Sequence, residues 1–150
     1  MYEDIKKEYK DLIERLKQEE GYTEKAFWDN KQYSYGYGTK APHSYATITR
    51  QEAELELIKH LIKDIDFFYK NFNAHHFGKV RTEALLDMIY NLGHSGIMTF
   101  HNMIYELKRP MIDWRAVAFE AYDSRWRKQV GKRAERIILE LGTGKEHKNL

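Results

Sequence analysis

Between Glu20 and Gly38 the chain reads EGYTEKAFWDNKQYSYGYG, the stretch in which the apolar period shortens from the helical three-to-four to the strand value of two. A short sheet set into an otherwise helical chain restricts the fold to α+β. The helix before it is written by Ile5, Tyr9, Leu12, Ile13 and Leu16 on one stripe, and Gly21 supplies the stop. Glu20 therefore lies in or beside the last turn, where unpaired carbonyls carry partial negative charge. Those carbonyls and the neighbouring Glu19 disfavour its ionisation, and a carboxyl that keeps its proton suits general-acid work. Asp29-Asn-Lys-Gln is a turn sequence between two strands of a hairpin, Ala26 to Trp28 and Tyr33 to Gly38. Alternation puts Tyr33, Tyr35 and Tyr37 on one face and Ser34, Gly36 and Gly38 on the other. Glycines weaken a strand, and close approach of a ligand or another backbone is the usual reason for them. An extended polymer along Gly36 and Gly38 would pass Ser34 and Asp29 on its way to Glu20.

The rest of the chain reads as helices. Thr49-Arg-Gln-Glu52 is a capping box that opens a long helix, with Leu55, Ile58, Ile62, Ile65 and Tyr69 on one stripe and Leu57, Leu61 and Phe68 beside it. A second helix follows Thr82, buries Leu85, Met88, Ile89 and Leu92, and ends at Gly93. Others are predicted over His101 to Lys108, Trp114 to Tyr122 and Lys132 to Leu141, the last using Ala134, Ile137, Ile138 and Leu141. A long helix that is apolar over a wide face suits a link between a small sheet lobe and a helical lobe. The 150 residues suffice for one compact unit with its own core. The chain has no cysteine, as expected of a protein made in a reducing compartment, and its charged N-terminus holds no apolar run that would serve as signal peptide or membrane span. A formal charge of +2 is too slight to imply nucleic acid and favours an anionic polymer such as a bacterial wall.

Glu20-Gly21, Asp29, Ser34 with Gly36-Tyr37-Gly38, Ile48-Thr49 with Glu52-Ala53-Glu54, Asn91-Leu92-Gly93 with Gly96 and Phe100, Ser124-Arg125-Trp126, Arg133-Ala134 with Arg136, and Gly142-Thr143-Gly144 through Lys148-Asn149-Leu150 follow one another in a characteristic order. In that order and spacing, over nearly the whole length, the chain resembles the phage lysozymes of the T-even and lambdoid endolysin type, glycoside hydrolase family 24. The resemblance implies a lysozyme-like α+β fold in a single catalytic domain. Its sheet lobe would span about 20–48, its connecting helix about 50–70, and its helical lobe about 71–150 together with an N-terminal helix over 2–19. It implies a muramidase that cuts the β-1,4 bond from N-acetylmuramic acid to N-acetylglucosamine in a cleft separating the lobes. Glu20 falls on the family's general acid, Asp29 on its second acidic residue and Ser34 on its catalytic threonine, in a reaction taken to invert. Inversion needs room for a water, roughly 6.5–9.5 Å between the acting carboxyls in the general case. Gly38, Asn91, Ser124, Arg125, Trp126 and Arg133 fall on substrate contacts or their supports. Asn91 would meet an acetamido group, and Arg133 would pair with the catalytic glutamate, drawing Glu20 toward ionisation against the helix-end effect. The family's histidine after Gly-x-Gly and aspartate on the long helix are replaced by Thr39 and His60, which would share a neutral hydrogen bond or none.

No cofactor and no metal are expected, since His75, His76, His94 and His101 lack ligand spacing. Peptidoglycan is the expected partner of a monomer with no nucleic acid and no stable membrane association, which would wait in the host cytoplasm for a holin pore before reaching the periplasmic wall. Bland readings accompany each residue: Glu20 as a solvated helix end, Asp29 as a turn former, Ser34 as a small strand residue, Trp126 as core. Three rival functions stay open: a catalytically inactive wall-binding module of the same fold, a basic nucleic-acid binder using the run from Arg125 to Arg136, and a lytic transglycosylase.

Overall fold

The structure, a computed structural model, describes residues 1–148; Asn149 and Leu150, which close the family pattern above, lie outside the described residues. Among the described residues eight helices and a three-stranded antiparallel sheet make the α+β fold that the sequence requires. The chain divides into two compact units, Met1–Lys63 and Asp64–Leu150.

In the first unit the apolar stripe from Ile5 to Leu16 is carried by two helices rather than one: α1, Tyr2–Glu8, and α2, Lys10–Glu20. The chain leaves helical geometry at Tyr9, with φ −106° and ψ 28°. Tyr9, Leu12, Ile13 and Leu16 are buried, whereas α1 buries no residue and Ile5 stays half-exposed. With no apolar face to anchor it, α1 has no reason to continue the α2 axis. Gly21 ends α2 at φ 68° and ψ 156°, a conformation open to glycine that turns the chain straight into β1, Thr23–Trp28. β2, Tyr33–Gly36, and β3, Thr39–Lys40, complete the sheet in the order β1-β2-β3. The β1–β2 register shifts between Thr23 and Phe27. Over that shift Ala26 N–H bonds to Ala46 O at 2.9 Å and Ile48 N–H to Glu24 O at 3.0 Å, so a second segment satisfies the backbone that β2 leaves.

The capping box forms as read: Thr49 N–H donates to Glu52 Oε1 at 3.0 Å and Glu52 N–H to Thr49 Oγ1 at 3.1 Å. It opens α3, Arg50–Asn71, which runs from the first unit into the second. The buried stripe of α3 is Ala53, Leu57, Leu61, Asp64 and Phe68, with Ile58 beside it. Leu55 and Tyr69, placed on the stripe by the sequence reading, are exposed, and Ile62 and Ile65 are half-exposed. An alanine and an aspartate on the true stripe hide it from a hydrophobicity count. Lys17 of α2 donates to Glu54 Oε1 at 2.6 Å and Lys6 of α1 to Glu54 Oε2 at 3.1 Å. The Lys17 contact holds the Glu54 carboxyl below its usual range.

In the second unit α4, Lys79–Ile97, is buried continuously from Thr82 to Tyr90. Gly93, at φ 80° and ψ 167°, ends the first helical segment of this span as the sequence reading has it, and a second short segment runs on to Ile97. α5, His101–Leu107, and α6, Trp114–Tyr122, follow, α6 capped by Asp113, which accepts from Arg115 and Ala116 N–H. The basic run forms a short helix of its own, α7, Arg125–Val130, and Gly131 at φ 74° separates it from α8, Lys132–Thr143. α8 packs against α4 and α6 through Ala134, Ile137 and Leu141.

Beyond the Gly93 break, His94 Nε2 lies 2.8 Å from Asp64 Oδ1 and its ring stacks on Phe67 at 4.1 Å. Burial pushes the Asp64 carboxyl up to about 6, and the contact with His94 only partly offsets this. The folded state therefore binds the Asp64 proton more tightly than the unfolded chain, whose carboxyl titrates near 3.8. Through this group stability is greatest below pH 3.8 and falls as pH rises toward 6. Urea unfolding across that window is expected to show this decline in the parent and not in Asp64→Asn; parallel pH profiles would rule it out.

Candidate active site

Glu20 is the last residue of α2, and the chain returns to it at Gly38, just past β2. An ideal Cβ on Gly38 would fall 2.5 Å from Glu20 Oε1, and Gly38 sits at φ +79°. The backbone conformation thus calls for glycine, and any side chain there would push the end of the Glu20 carboxyl aside. Tyr22 fixes the approach: its hydroxyl donates to Ile48 O at 2.6 Å, its ring meets Tyr37 at 5.7 Å, and the Arg50 guanidinium lies 4.3 Å from its centroid. Gly38→Ala is expected to displace the carboxyl and lower the lysis rate about 10- to 100-fold, at a stability cost of about 1–2 kcal/mol. A parent-like rate in a turbidity assay would refute this.

Asp29 and Ser34, five residues apart, meet across the hairpin. Ser34 Oγ donates to Asp29 Oδ2 at 2.5 Å, while Asp29 Oδ1 accepts from Gln32 N–H at 2.9 Å and Lys31 N–H at 3.0 Å. Gln32 Nε2 in turn approaches Ser34 Oγ at 3.4 Å. The Ser34 hydroxyl, then the Gln32 and Lys31 backbone donors, hold the Asp29 carboxyl below its ordinary value. Asp29 is therefore a standing carboxylate, an acceptor of protons rather than a source.

The glycine floor is not what alternation suggested. Gly36 is buried, and a Cβ there would lie 3.0 Å from Ala53 Cβ and 3.5 Å from Ile48 Cγ2. Its missing side chain admits the start of α3, not a polymer, and Ser34 is only 3% exposed. Positive φ at Gly36 and Gly38 also ends the alternation. Tyr37 turns inward at 6% exposure, while Tyr33 on the same nominal face is 41% exposed.

In the second unit Trp126 Nε1 donates to Asn91 Oδ1 at 2.8 Å, which leaves the Asn91 amide NH2 pointing elsewhere. The indole is 5% exposed and edge-on to Phe100, so the core reading of Trp126 prevails over an open stacking platform. Ser124 caps α7: its Oγ accepts from Arg127 N–H at 3.2 Å and donates to Ala121 O at 2.6 Å. Ser124, the exposed Arg125 and Trp126 line a hollow of about 450 Å³ with Leu92 and Phe100. Arg133 is buried, its Nε donating to Asp87 Oδ1 at 2.9 Å.

The sequence reading named Arg136 in the family pattern and in the basic run, but did not single out Gln32, nor Asp87 and Glu140 of the group around Arg133. Arg136 bonds Asp87 Oδ2 at 2.5 Å and Glu140 Oε1 at 3.0 Å. Charged residues at the three-and-four spacing 133, 136, 140 beside the apolar 134, 137, 141 were the available signal. Compared with known families, the chain matches the family described as Phage lysozyme over residues 17–139. No curated protein matches it.

Proposed function

The chain belongs to the phage lysozyme family, and on that premise we propose that it cuts the β-1,4 bond from N-acetylmuramic acid to N-acetylglucosamine, with Glu20 as general acid. Membership makes it a lysozyme, a glycoside hydrolase of the endolysin type whose substrate is peptidoglycan. Glu20 gives its proton to the glycosidic oxygen as the bond to the anomeric carbon breaks. A water attacks that carbon from the opposite face and passes a proton to Ser34 Oγ, whose own proton goes to Asp29, so the product inverts. The hydrogen bond from Ser34 to Asp29 supports this most directly, because a hydroxyl tied to a standing carboxylate suits holding and deprotonating a water.

Gly38 leaves space for the acid. Asn91, its amide oriented by Trp126, donates to an acetamido carbonyl; Ser124 holds the helix that presents Arg125, and Arg133 is a support within the second unit. The enzyme acts as a monomer and reaches the wall from the host cytoplasm through a holin pore. No helix among the described residues is long and apolar enough to cross a membrane.

Digestion of purified peptidoglycan separates the readings. Muropeptides one water heavier than their anhydro forms, released as the α anomer, are expected. Anhydro-muramic ends would identify a lytic transglycosylase, and wall binding without any product would identify an inactive module.

A further inference from the structure

Within the second unit His94 is held on two sides. Its side chain is 43% exposed, yet Nε2 lies 2.8 Å from Oδ1 of the fully buried Asp64, and the ring stacks on Phe67 at 4.1 Å and 14°. The outer torsion of a histidine is intrinsically broad, so these two contacts, not the rotamer, set the ring. His94 is also the first residue after Gly93, which stands outside helical geometry. Such a break uncouples the axes on either side of it, and the direction of the short segment from His94 to Ile97 must come from its own contacts.

That segment carries more than itself. Met98 N–H bonds to His94 O at 3.3 Å, Thr99 N–H to Gly96 O at 3.2 Å and Phe100 N–H to Ile97 O at 3.1 Å, so the backbone turns closely from His94 to Phe100. The Phe100 ring meets Trp126 edge-on at 6.2 Å, and the indole Nε1 donates to Asn91 Oδ1 at 2.8 Å. On its near side the segment rests on Leu92, whose Cβ would lie 3.2 Å from a Cβ on Gly96. The contacts therefore close a ring that leaves the chain at His94 and returns to it at Asn91, three residues earlier.

We propose that the tie of His94 to Asp64 and Phe67 sets the orientation of the Asn91 amide, making His94 and Asp64 positioning residues for the substrate contact. Anchoring the segment after Gly93 fixes Phe100, and through Phe100 the Trp126 indole that holds Asn91 Oδ1. The consequence for substrate rests on the reading of Asn91 as donor to an acetamido carbonyl. Loosening the tie then weakens binding of the N-acetylated strand and leaves the bond-breaking step at Glu20 as it was.

His94→Leu removes the bond to Asp64 but keeps apolar bulk against Phe67, whereas His94→Gln returns an amide nitrogen within reach of Asp64. On purified peptidoglycan His94→Leu is expected to raise KM about fivefold with kcat unchanged, the scale of one misdirected neutral hydrogen bond. In an Asn91→Ala background the same change should add nothing, and His94→Gln should return KM toward the parent. A KM increase of equal factor in both backgrounds, or none in either, overturns the proposal. Nuclear magnetic resonance of the substrate-free proteins reads the positioning directly. The Trp126 indole N–H signal, one of three and assigned with Trp126→Phe, should shift in His94→Leu and return in His94→Gln. If Asn91→Ala kept the parent KM, or if the parent cleaved nothing, the functional reading would fail and the indole would decide alone: a shift supports the positioning, and an unmoved signal overturns it.

Discussion

Glu20→Gln is expected to lower kcat on purified peptidoglycan by about 10³-fold, roughly 4 kcal/mol in the barrier. The amide keeps the size of the carboxyl over Gly38 but has no proton to give to the leaving oxygen. Its stability should stay within about 1 kcal/mol of the parent, since no cavity and no buried charge is created at this half-exposed position. A smaller loss, about 10²-fold, is expected for Ser34→Ala, which removes the hydroxyl between the water and Asp29 but leaves the acid intact. The two differ in their pH profiles. Asp29 is held below its ordinary 3.8 by Ser34, Gln32 and Lys31, so the acid limb of the parent rate should lie below pH 3.8. Removing the Ser34 donor should move that limb upward. Equal clearing of permeabilised cells by Glu20→Gln and the parent would take Glu20 out of the mechanism.

What could be read from the sequence followed the range of the interactions concerned. The Asp29 turn and the Thr49–Glu52 box are local, three to five residues across, and their hydrogen bonds form as their chemistry requires. The approach of Ser34 to Asp29 also follows from a hairpin and lay within reach of the pattern. The seating of Glu20 on Gly38 joins residues eighteen apart through a helix stop and two strands, and no periodicity encodes it. Gly36 shows the same limit from the other side: a strand glycine signals close approach without saying of what, and here Ala53 arrives instead of a ligand. The stripe on α3 was misphased because its true members include Ala53, admitted by Gly36, and Asp64, buried against His94. Tyr9 broke a helix that spacing alone made continuous, since spacing does not report whether α1 has a surface to bury.

Asp87→Leu is expected to destabilise the protein by about 3–5 kcal/mol, the most of any single change away from the chemistry. Asp87 is fully buried and accepts from Arg133 at 2.9 Å and from Arg136 at 2.5 Å, while Arg136 also bonds Glu140, whose second oxygen accepts His147 N–H at 3.2 Å. Asp87 and Glu140 thus face Arg133 and Arg136. Removing Asp87 takes from two nearly buried guanidinium groups the carboxylate that they share, and a buried charge that loses a counterion is costly. The cost should come from that imbalance, not from a loss of attraction, because leucine packs well at a buried helix position. Removing one charge of each sign provides the check: Asp87→Leu/Arg136→Leu deletes an ion pair as a whole and should be clearly less destabilised than the sum of the single variants. Chemical denaturation of the four proteins gives the coupling directly. Additive losses would show that packing rather than charge sets the cost at Asp87. A single-variant loss below about 1 kcal/mol would show that water reaches the pair well enough to make it an ordinary surface contact.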